Sequence, residues 1–240
     1  MKTGLRDSRF LSRNLRRPGS MRREMAGAGS GAAGPSVRVV SWNLLHSVGA
    51  RINDVIELIR QEKPDLLLMQ EATAGLDILA EHVGGYYART PLPGRIHGPA
   101  CWSLTPFVRK PRACVIPSGA LVRRVAQIVH FDSFTVANVH LSHGQIMNRR
   151  QLRRLAAVLP APAAILGDFN LVGPALVPGF DDVGPREPTH RMADLVPIRI
   201  DRCLVRGMVC EQASVLPVFA SDHQPIMVRL RTVRGHSEGL

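Results

Sequence analysis

The sequence has few of the residues that build disulfide-stapled or membrane-spanning proteins. Only four cysteines occur in 240 residues, with neither a C-x-x-C pair nor a histidine at zinc-finger spacing. They are Cys101, Cys114, Cys203 and Cys210. Because disulfides are rare in reducing compartments, they indicate buried free thiols in a cytoplasmic protein. No apolar run approaches the roughly 20 residues that span a bilayer, so we expect no stable membrane insertion.

Acidic residues are also scarce, and the chain is strongly basic as a result. It contains 31 Lys and Arg but only 19 Asp and Glu, which gives a formal net charge of +12. The excess is uneven, because residues 1–34 carry eight basic and two acidic side chains, a balance of +6. This charge favours anionic partners such as nucleic acid, phosphorylated metabolites or an acidic membrane surface. It is equally compatible with a basic body that simply stays soluble.

Composition divides the chain into three parts. Residues 1–35 are basic, then rich in Gly and Ala, and lack the hydrophobic stretch of a secretory signal, so we expect a disordered tail. This tail could equally be a transit peptide, a nucleic-acid-binding arm or an extension upstream of Met21 or Met25. Residues 36–232 carry the periodic apolar patterns of one domain, and residues 233–240 form a short tail that we expect to be disordered. We expect a monomer.

Apolar periodicity predicts strands that alternate with helices. The predicted helices are 51–62, 74–83 and 145–159, and the predicted strands are 37–43, 65–71, 124–131, 135–141, 163–166, 196–205 and 226–230. Successive strand–helix units indicate an α/β layering. The stretches 91–106 and 171–190 are rich in Pro and Gly and predict loops, the first of which could line a substrate cleft. Four arginines on helix 145–159 fit a solvated face or a nucleic-acid contact.

The stretch Ala163–Asn170 carries the clearest functional signal. Asp168 and Asn170 follow a buried apolar run and lie two residues apart, so an extended chain places them on one face. We expect Gly167 to allow a tight turn at the end of this strand. A carboxylate beside an amide in this position is costly unless it binds a metal ion, a phosphate or a polarised water.

Polar side chains recur near the ends of the other predicted strands. They are Asn43, Glu71, His140, Asp201, Asp222 and His223. Each one alone has an ordinary structural explanation, such as a helix cap, a satisfied core histidine or, for Asp201, an ion pair with Arg202 or a neighbouring arginine. Their repetition at one strand end after another indicates that they converge on a single site.

These segments form a series that resembles the endonuclease/exonuclease/phosphatase superfamily, which has the deoxyribonuclease I-like fold. In order, they are Ser41-Trp-Asn43, Gln70-Glu71, Asn138-Val-His140, Gly167-Asp-Phe-Asn170, Ile200-Asp201 and Ser221-Asp-His223. The resemblance covers residues 37–230. It implies an α/β (α+β) fold, a four-layered sandwich of two mixed β-sheets flanked by helices, with the active site at one end.

The resemblance also implies roles for the metal-binding and water-activating residues. Glu71 would bind a divalent cation, Mg²⁺ or Mn²⁺, with help from Asn43 and Asp222. Asp168 would orient or deprotonate the attacking water, and Asn170 would hold the scissile phosphate or the nucleophile. Hard carboxylate and amide oxygens suit these cations better than they suit zinc.

A second group of residues is implied to stabilise charge on the phosphate. His223, oriented by Asp201, would contact a phosphate oxygen, and His140 would do the same from the hairpin. Arg124 resembles a family arginine that contacts phosphate. Water attack on an anionic phosphodiester needs such help, because negative charge develops on the phosphoryl oxygens.

One position departs from the family pattern. Many nucleases of the family carry an acidic residue two positions after the asparagine of the first strand, where this chain has Leu45. One metal ligand is therefore missing or replaced, which weakens a specific assignment to DNA repair.

The sequence predicts a divalent-metal-dependent phosphoesterase that hydrolyses phosphodiester bonds by activated water, with nucleic acid slightly favoured as substrate. The alternative is a phosphatase or phospholipid phosphodiesterase acting on inositol phosphates, sphingomyelin-like lipids or other small phosphoesters, since one fold hosts all of these activities. A catalytically inactive nucleic-acid-binding module is disfavoured by the intact set of polar residues. A zinc hydrolase built on His140 and His143 lacks a nearby third ligand.

Overall fold

The computed structural model describes residues 34–46, 48–118, 123–192, 196–217 and 220–233. The predicted tails therefore lie outside the described residues, except for their ends nearest the domain. The strands are β1 (Val37–Asn43), β2 (Leu66–Ala72), β3 (Tyr86–Arg89), β4 (Gly98–Ser103), β5 (Arg109–Val115), β6 (Val125–His130), β7 (Thr135–His140), β8 (Ala163–Asp168), β9 (Asp181–Asp182), β10 (His190–Met192), β11 (Val196–Ile198), β12 (Asp201–Arg206), β13 (Met208–Val215) and β14 (Ile226–Thr232). The helices are α1 (Ile52–Glu62), α2 (Leu79–Val83) and α3 (Gln145–Val158), and Ala74–Leu76 forms a 3₁₀ turn.

Two six-stranded mixed sheets form the centre of the molecule. The first has the order β13-β14-β1-β2-β4-β3, and the second has the order β5-β6-β7-β8-β12-β9. Each sheet contains one parallel pair, β1 with β2 and β7 with β8. A parallel pair needs a crossover, which α1 supplies in the first sheet and α3 in the second. The last residues of each parallel pair therefore lie at the same edge of their sheet.

Three apolar layers hold the sheets and helices together. Strand alternation places Val39 between the sheets, where it packs in one cluster with Leu166. The neighbouring Val40 faces the other way and packs with Val55 of α1. On the far side of the second sheet, Leu155 of α3 lies in a third cluster. The resulting order of α1, first sheet, second sheet and α3 is the four-layered sandwich that the sequence predicted.

A buried amide network joins the two sheets behind the polar strand ends. Asn138 Nδ2 donates to the carbonyl oxygens of Met69 (3.1 Å) and Ala100 (2.9 Å) in the opposite sheet. Its Oδ1 accepts a hydrogen bond of 2.8 Å from Gln70 Nε2. Because Gln70 and Asn138 are both fully buried, water cannot replace the bond between them or the bonds that Asn138 donates across the sheets. This network fixes the position of one sheet relative to the other.

Gly167 has a different role from the predicted tight turn. It lies within β8 with φ of 138°, and a Cβ atom at this position would stand 2.0 Å from the Val139 carbonyl oxygen. The glycine is therefore required by the close approach of β7 and β8, and the strand continues through it to Asp168.

The predicted loop at 91–106 is wrong, because it contains β4, a strand with all six residues buried. Gly98 opens this strand at a point where a Cβ atom would lie 2.2 Å from the Thr90 carbonyl oxygen. Gly98 is therefore needed where the turn before β4 packs closely against the strand. Because Gly98 and Pro99 are typical loop residues, the sequence did not predict the buried strand that they open.

Other departures concern short or edge elements. The predicted helix 74–83 is divided into a 3₁₀ turn and α2, and the predicted strand 196–205 is divided into β11 and β12. The strands β3, β5, β9 and β13, which the sequence did not predict, all lie at sheet edges. Edge strands bury little of either face, so their sequences carry weak alternation. Short β10, which pairs with β11, was also missed.

The structure can be compared with the expectations for the cysteines and for membrane-spanning segments. All four cysteines are free, but only Cys101 and Cys203 are buried, while Cys114 and Cys210 are partly exposed. The prediction that all four are buried is therefore wrong for two of them. Within the described ranges, no helix has the length and apolar character needed to cross a membrane.

We predict that Asn138→Ala lowers the free energy of unfolding by about 2–4 kcal/mol, because it leaves several buried polar groups without partners. Urea denaturation followed by circular dichroism measures this change. Gln61→Ala, which removes an exposed amide from α1, should change the stability by less than about 0.5 kcal/mol. An Asn138→Ala variant as stable as the control would show that the network does not hold the sheets.

Candidate active site

Three buried side chains stand opposite one another at one edge of the second sheet. His140 ends β7, Asp168 ends β8 and Asp201 begins β12. The register pairs His140 with Asp168, and Asp168 with Asp201. Directly opposed residues project to the same face of a sheet, so the three side chains form one row. The structure thus brings together three of the predicted site residues.

Asp168 lies at the centre of this row and is held by two asparagines. Asn43 Nδ2, from the first sheet, donates to Asp168 Oδ2 at 3.0 Å. The backbone N–H of Asn170 donates to Oδ1 at 2.8 Å, and its side-chain amide donates to Oδ2 at 3.1 Å. These bonds fix both carboxylate oxygens of a side chain that is almost completely buried.

Two histidines also face Asp168. The Nε2 atom of His140 lies 3.3 Å from Asp168 Oδ2, and that of His223 lies 3.8 Å away. His223 Nδ1 is 2.8 Å from Asp201 Oδ2, which orients the ring. The sequence left open whether Asp201 pairs with His223 or with an arginine, and the structure places it on His223.

The surroundings shift the pKa values of Asp168 and His223. Burial raises the pKa of Asp168 to about 6, although the His223 cation opposes this effect. Burial disfavours the charged form of His223 as well, but the carboxylates of Asp201 and Asp168 outweigh it and raise the pKa of His223 to about 10. At neutral pH the site therefore contains an imidazolium beside a carboxylate that is poised to accept a proton.

Glu71 approaches the site from the first sheet. The register of β2 shifts between Met69 and Ala72, and Glu71 has a φ of 59° in this bulge. A bulge re-aims a side chain, and here it turns the carboxylate towards His46 and His140. Glu71 Oε2 accepts a hydrogen bond from the His46 backbone N–H at 3.1 Å and also contacts His46 Nδ1. Glu71 Oε1 lies 3.6 Å from His140 Nδ1.

His140 therefore stands between Glu71 and Asp168, with one ring nitrogen near each carboxylate. Burial lowers the pKa of His140 well below its ordinary value, and the Arg124 guanidinium adds to the effect, so the ring is neutral. Burial disfavours ionisation of Glu71 also, but hydrogen bonds from His46 hold its pKa below the ordinary value.

Arg124 is buried beside the same residues, and its Nε atom has no hydrogen-bond partner within the described ranges. Burial lowers its pKa, and the carboxylates of Asp168 and Glu71 oppose this effect. It lines a narrow gap with Glu71 and His140. A guanidinium with a free donor at this point is suited to an anionic ligand.

The predicted extended geometry of Asn170 is wrong. Asn170 follows β8 in the left-handed region, with φ of 47°, and its side chain turns back onto Asp168. Its carbonyl oxygen accepts hydrogen bonds from Gln145 and Asn148, at the start of α3. Asn170 and Asp168 are neighbours as predicted, but the left-handed backbone at Asn170, and not an extended chain, brings their side chains together.

Asp222 lies beside His190 at the site. The Asp222 side chain is partly exposed, and its Oδ2 lies 3.7 Å from Nδ1 of His190. Among the described residues, the close sets of possible metal ligands are His46, Glu71 and His97; His190, Asp222 and His223; and Asp168, Asp201 and His223. Glu71 and Asp222 belong to different sets, and a metal role shared by Glu71, Asn43 and Asp222 stays a prediction.

The sequence prediction missed three histidines at the site. His46 and His97 stand beside Glu71, and the ring of His190 lies 4.4 Å from that of His223, centroid to centroid. All three lie in or next to loops, where sequence periodicity does not show which way a side chain points. Two weak signals were available: His46 follows Asn43, the last residue of β1, by three residues, and His97 lies in the stretch 91–106 that could line a substrate cleft.

The profile of the Endonuclease/Exonuclease/phosphatase family matches residues 40–223. The chain therefore belongs to this family, whose members are hydrolytic phosphoesterases that generally use divalent metal ions. The match spans every predicted site residue. No curated protein matches the chain in sequence.

Solved structures share the fold at low sequence identity. An endonuclease/exonuclease/phosphatase family protein from Bacteroides thetaiotaomicron has a TM-score of 0.68 at 17% identity, with 84% of this chain and 99% of that chain covered. D. rerio TDP2, humanized by 14 mutations, has a TM-score of 0.65 at 17% identity, with 82% and 99% covered. ANGEL2, a 2′,3′-cyclic phosphatase in complex with adenosine-2′,3′-vanadate, has a TM-score of 0.62 at 15% identity, with 82% and 96% covered.

We predict that Asp201→Asn lowers the pKa of His223 by at least about 2 units, because a neutral amide no longer favours the cation. An NMR titration of the histidine ring resonances measures the shift. Asp181→Asn, on an exposed edge strand, should leave the titration unchanged. An unaltered His223 pKa in Asp201→Asn would show that the pair does not set the charge of this imidazole.

Proposed function

We propose that this protein is a divalent-metal-dependent phosphodiesterase that hydrolyses phosphodiester bonds with an activated water, with nucleic acid slightly favoured as substrate. The observation that carries the proposal is the position of Asp168 in contact range of His140 and His223 and fixed by two asparagines. One carboxylate, one neutral imidazole and one cationic imidazole then face the same small space. Such a set suits water attack on an anionic centre.

Asp168 is the residue that takes the proton from water. Its pKa of about 6 means that it is ionised at neutral pH and still basic enough to accept a proton. Asn43 and Asn170 hold its oxygens in place, so it needs no reorganisation during the reaction.

Charge on the phosphate is stabilised by His223 and Arg124. His223 carries a positive charge because Asp201 supports it, and its Nε2 side faces Asp168. Arg124 adds a second buried cation near Glu71. Fixed cations in a site with little water stabilise the developing negative charge more than they would in bulk solvent.

Glu71 fits a role in holding the metal ion. Its side chain is 14% exposed and lines a cavity of about 250 Å³ with His46, so an ion can reach an ionised carboxylate there. Asn43 lies beside Asp168, with its Oδ1 accepting a hydrogen bond from the Leu45 N–H. When bound, the metal would neutralise phosphate charge and lower the pKa of the attacking water. Asp222 lies beside His190, and its predicted help in binding the metal remains part of this proposal.

Three observations support a nucleic-acid substrate. The net charge of +12 favours polyanions. Helix α3 is attached to the site by Gln145 and Asn148, and it carries the exposed Arg150, Arg153 and Arg154. A structural neighbour, ANGEL2, is a 2′,3′-cyclic phosphatase that binds an adenosine analogue. The second candidate, hydrolysis of a small or lipid phosphoester, is tested in the same assay.

We predict that Asp168→Asn lowers kcat/KM at least about 10²-fold while the protein stays folded, because the amide cannot accept the proton. Initial rates on a fluorogenic phosphodiester, with circular dichroism as the check on folding, measure the effect. Asp132→Asn, in the exposed turn between β6 and β7, is the matched control and should keep its full rate. Near-complete activity of Asp168→Asn would refute the assigned role.

We predict that hydrolysis stops in EDTA and returns when a divalent cation is added in excess, because the reaction needs the metal to offset phosphate charge. The assay offers plasmid, single-stranded DNA, abasic DNA, RNA, inositol phosphates and sphingomyelin in parallel. Cleavage confined to nucleic acid supports the favoured substrate, and cleavage confined to the small or lipid substrates supports the second candidate. Cleavage that persists in EDTA would contradict the mechanism.

A further inference from the structure

Two histidines lie beside Glu71 in addition to His140. His46, Glu71 and His97 each offer one ligand atom, and these three atoms all lie within 4.8 Å of one another. His46 comes from the loop after β1, Glu71 from the bulge in β2, and His97 from the residue before β4. Three separate segments of the first sheet thus converge on one point, with two nitrogen donors and one carboxylate.

One nitrogen of the His97 ring is buried without a hydrogen-bond partner in the structure described. The residue is only 8% exposed, and its Nδ1 has no hydrogen-bond partner in the described part of the chain. Its ring is stacked on that of His46, with 3.8 Å between the centroids. A buried ring nitrogen without a partner is costly, so the position calls for a ligand.

Access to this cluster is available from the His46 side. His46 is partly exposed and lines, together with Glu71, the cavity of about 250 Å³ described above. His97 lies against the His46 ring and also lines, with Glu71, the narrow gap that contains Arg124 and His140. Glu71 thus borders both the cavity and the gap, and a cation held by its carboxylate can be reached from the cavity.

We propose that His46 and His97 are ligands of the cation held by Glu71, and that the site consequently prefers Mn²⁺ and Co²⁺ to Mg²⁺. This inference rests on the proposed function only in placing the cation at Glu71. Mg²⁺ favours oxygen ligands and keeps its waters, whereas imidazole nitrogen is a good ligand for first-row transition metals. Two imidazoles and one carboxylate therefore discriminate between the two kinds of cation.

The test is metal binding by the full chain in the absence of substrate. Isothermal titration calorimetry should show Mn²⁺ binding at least about 10-fold tighter than Mg²⁺. The double variant His46→Ala/His97→Ala should lose most of this difference, while His82→Ala, an exposed histidine on α2, should retain it. Glu71→Gln should weaken the binding of both cations.

A spectroscopic measurement identifies the nitrogen ligands directly. Pulsed EPR of Mn²⁺ bound to protein labelled with ¹⁵N-histidine should show imidazole coupling that decreases in each single variant and disappears in the double variant. If the double variant does not fold, His46→Asp and His97→Asp serve instead, since oxygen donors should shift the preference towards Mg²⁺.

The outcomes separate this inference from the proposed function. Equal binding of Mn²⁺ and Mg²⁺, or nitrogen coupling that persists without His46 and His97, would overturn the inference and leave phosphodiester hydrolysis untouched. A failure to cleave any phosphoester would overturn the proposed function, and the binding measurements would still report on the histidines.

Discussion

The active site depends on the hydrogen bonds of one buried side chain, the amide of Asn138. Its donors bind backbone carbonyls of the opposite sheet, and its oxygen binds Gln70. Because Gln70 immediately precedes Glu71, and Asn138 lies two residues before His140, the distance between the two halves of the site is set here. Apolar packing between sheets is non-directional and would allow them to slide. Directional hydrogen bonds remove that freedom next to the strand ends that carry Glu71 and His140.

Much of the fold and of the site could be predicted from sequence because interior strands have strong signals. β1, β2, β7 and β8 are buried on both faces, so their apolar runs are continuous and their ends are clear. A polar residue at the end of such a run, as in Asp168, is conspicuous. The order of the motifs along the chain then indicated the family, and the family implied the four-layered sandwich. No single motif predicts that architecture.

What could not be predicted depends on backbone turns and on exposed edges. The β2 bulge re-aims Glu71, and no periodic pattern marks a bulge of this kind. The loops that carry His46 and His97 take their direction from packing against the finished sheet. Asp222 lies beside His190, and no periodic pattern indicates a contact between two residues so far apart in the sequence. Edge strands such as β5 are half exposed and highly charged, so their sequences lack the apolar pattern that predicts a strand.

Backbone strain is concentrated around the site. Among the described residues, four that are not glycine have positive φ: Lys63 ends α1, and the others are Leu45, Glu71 and Asn170. Each such conformation costs about 1–3 kcal/mol, so the catalytic apparatus is maintained against the preference of its own main chain. Glycine at Glu71 or Asn170 would relax the backbone but remove the carboxylate or the amide. Laboratory evolution for heat resistance alone would therefore erode this enzyme's chemistry first, and thermostable descendants should be screened for turnover at every round.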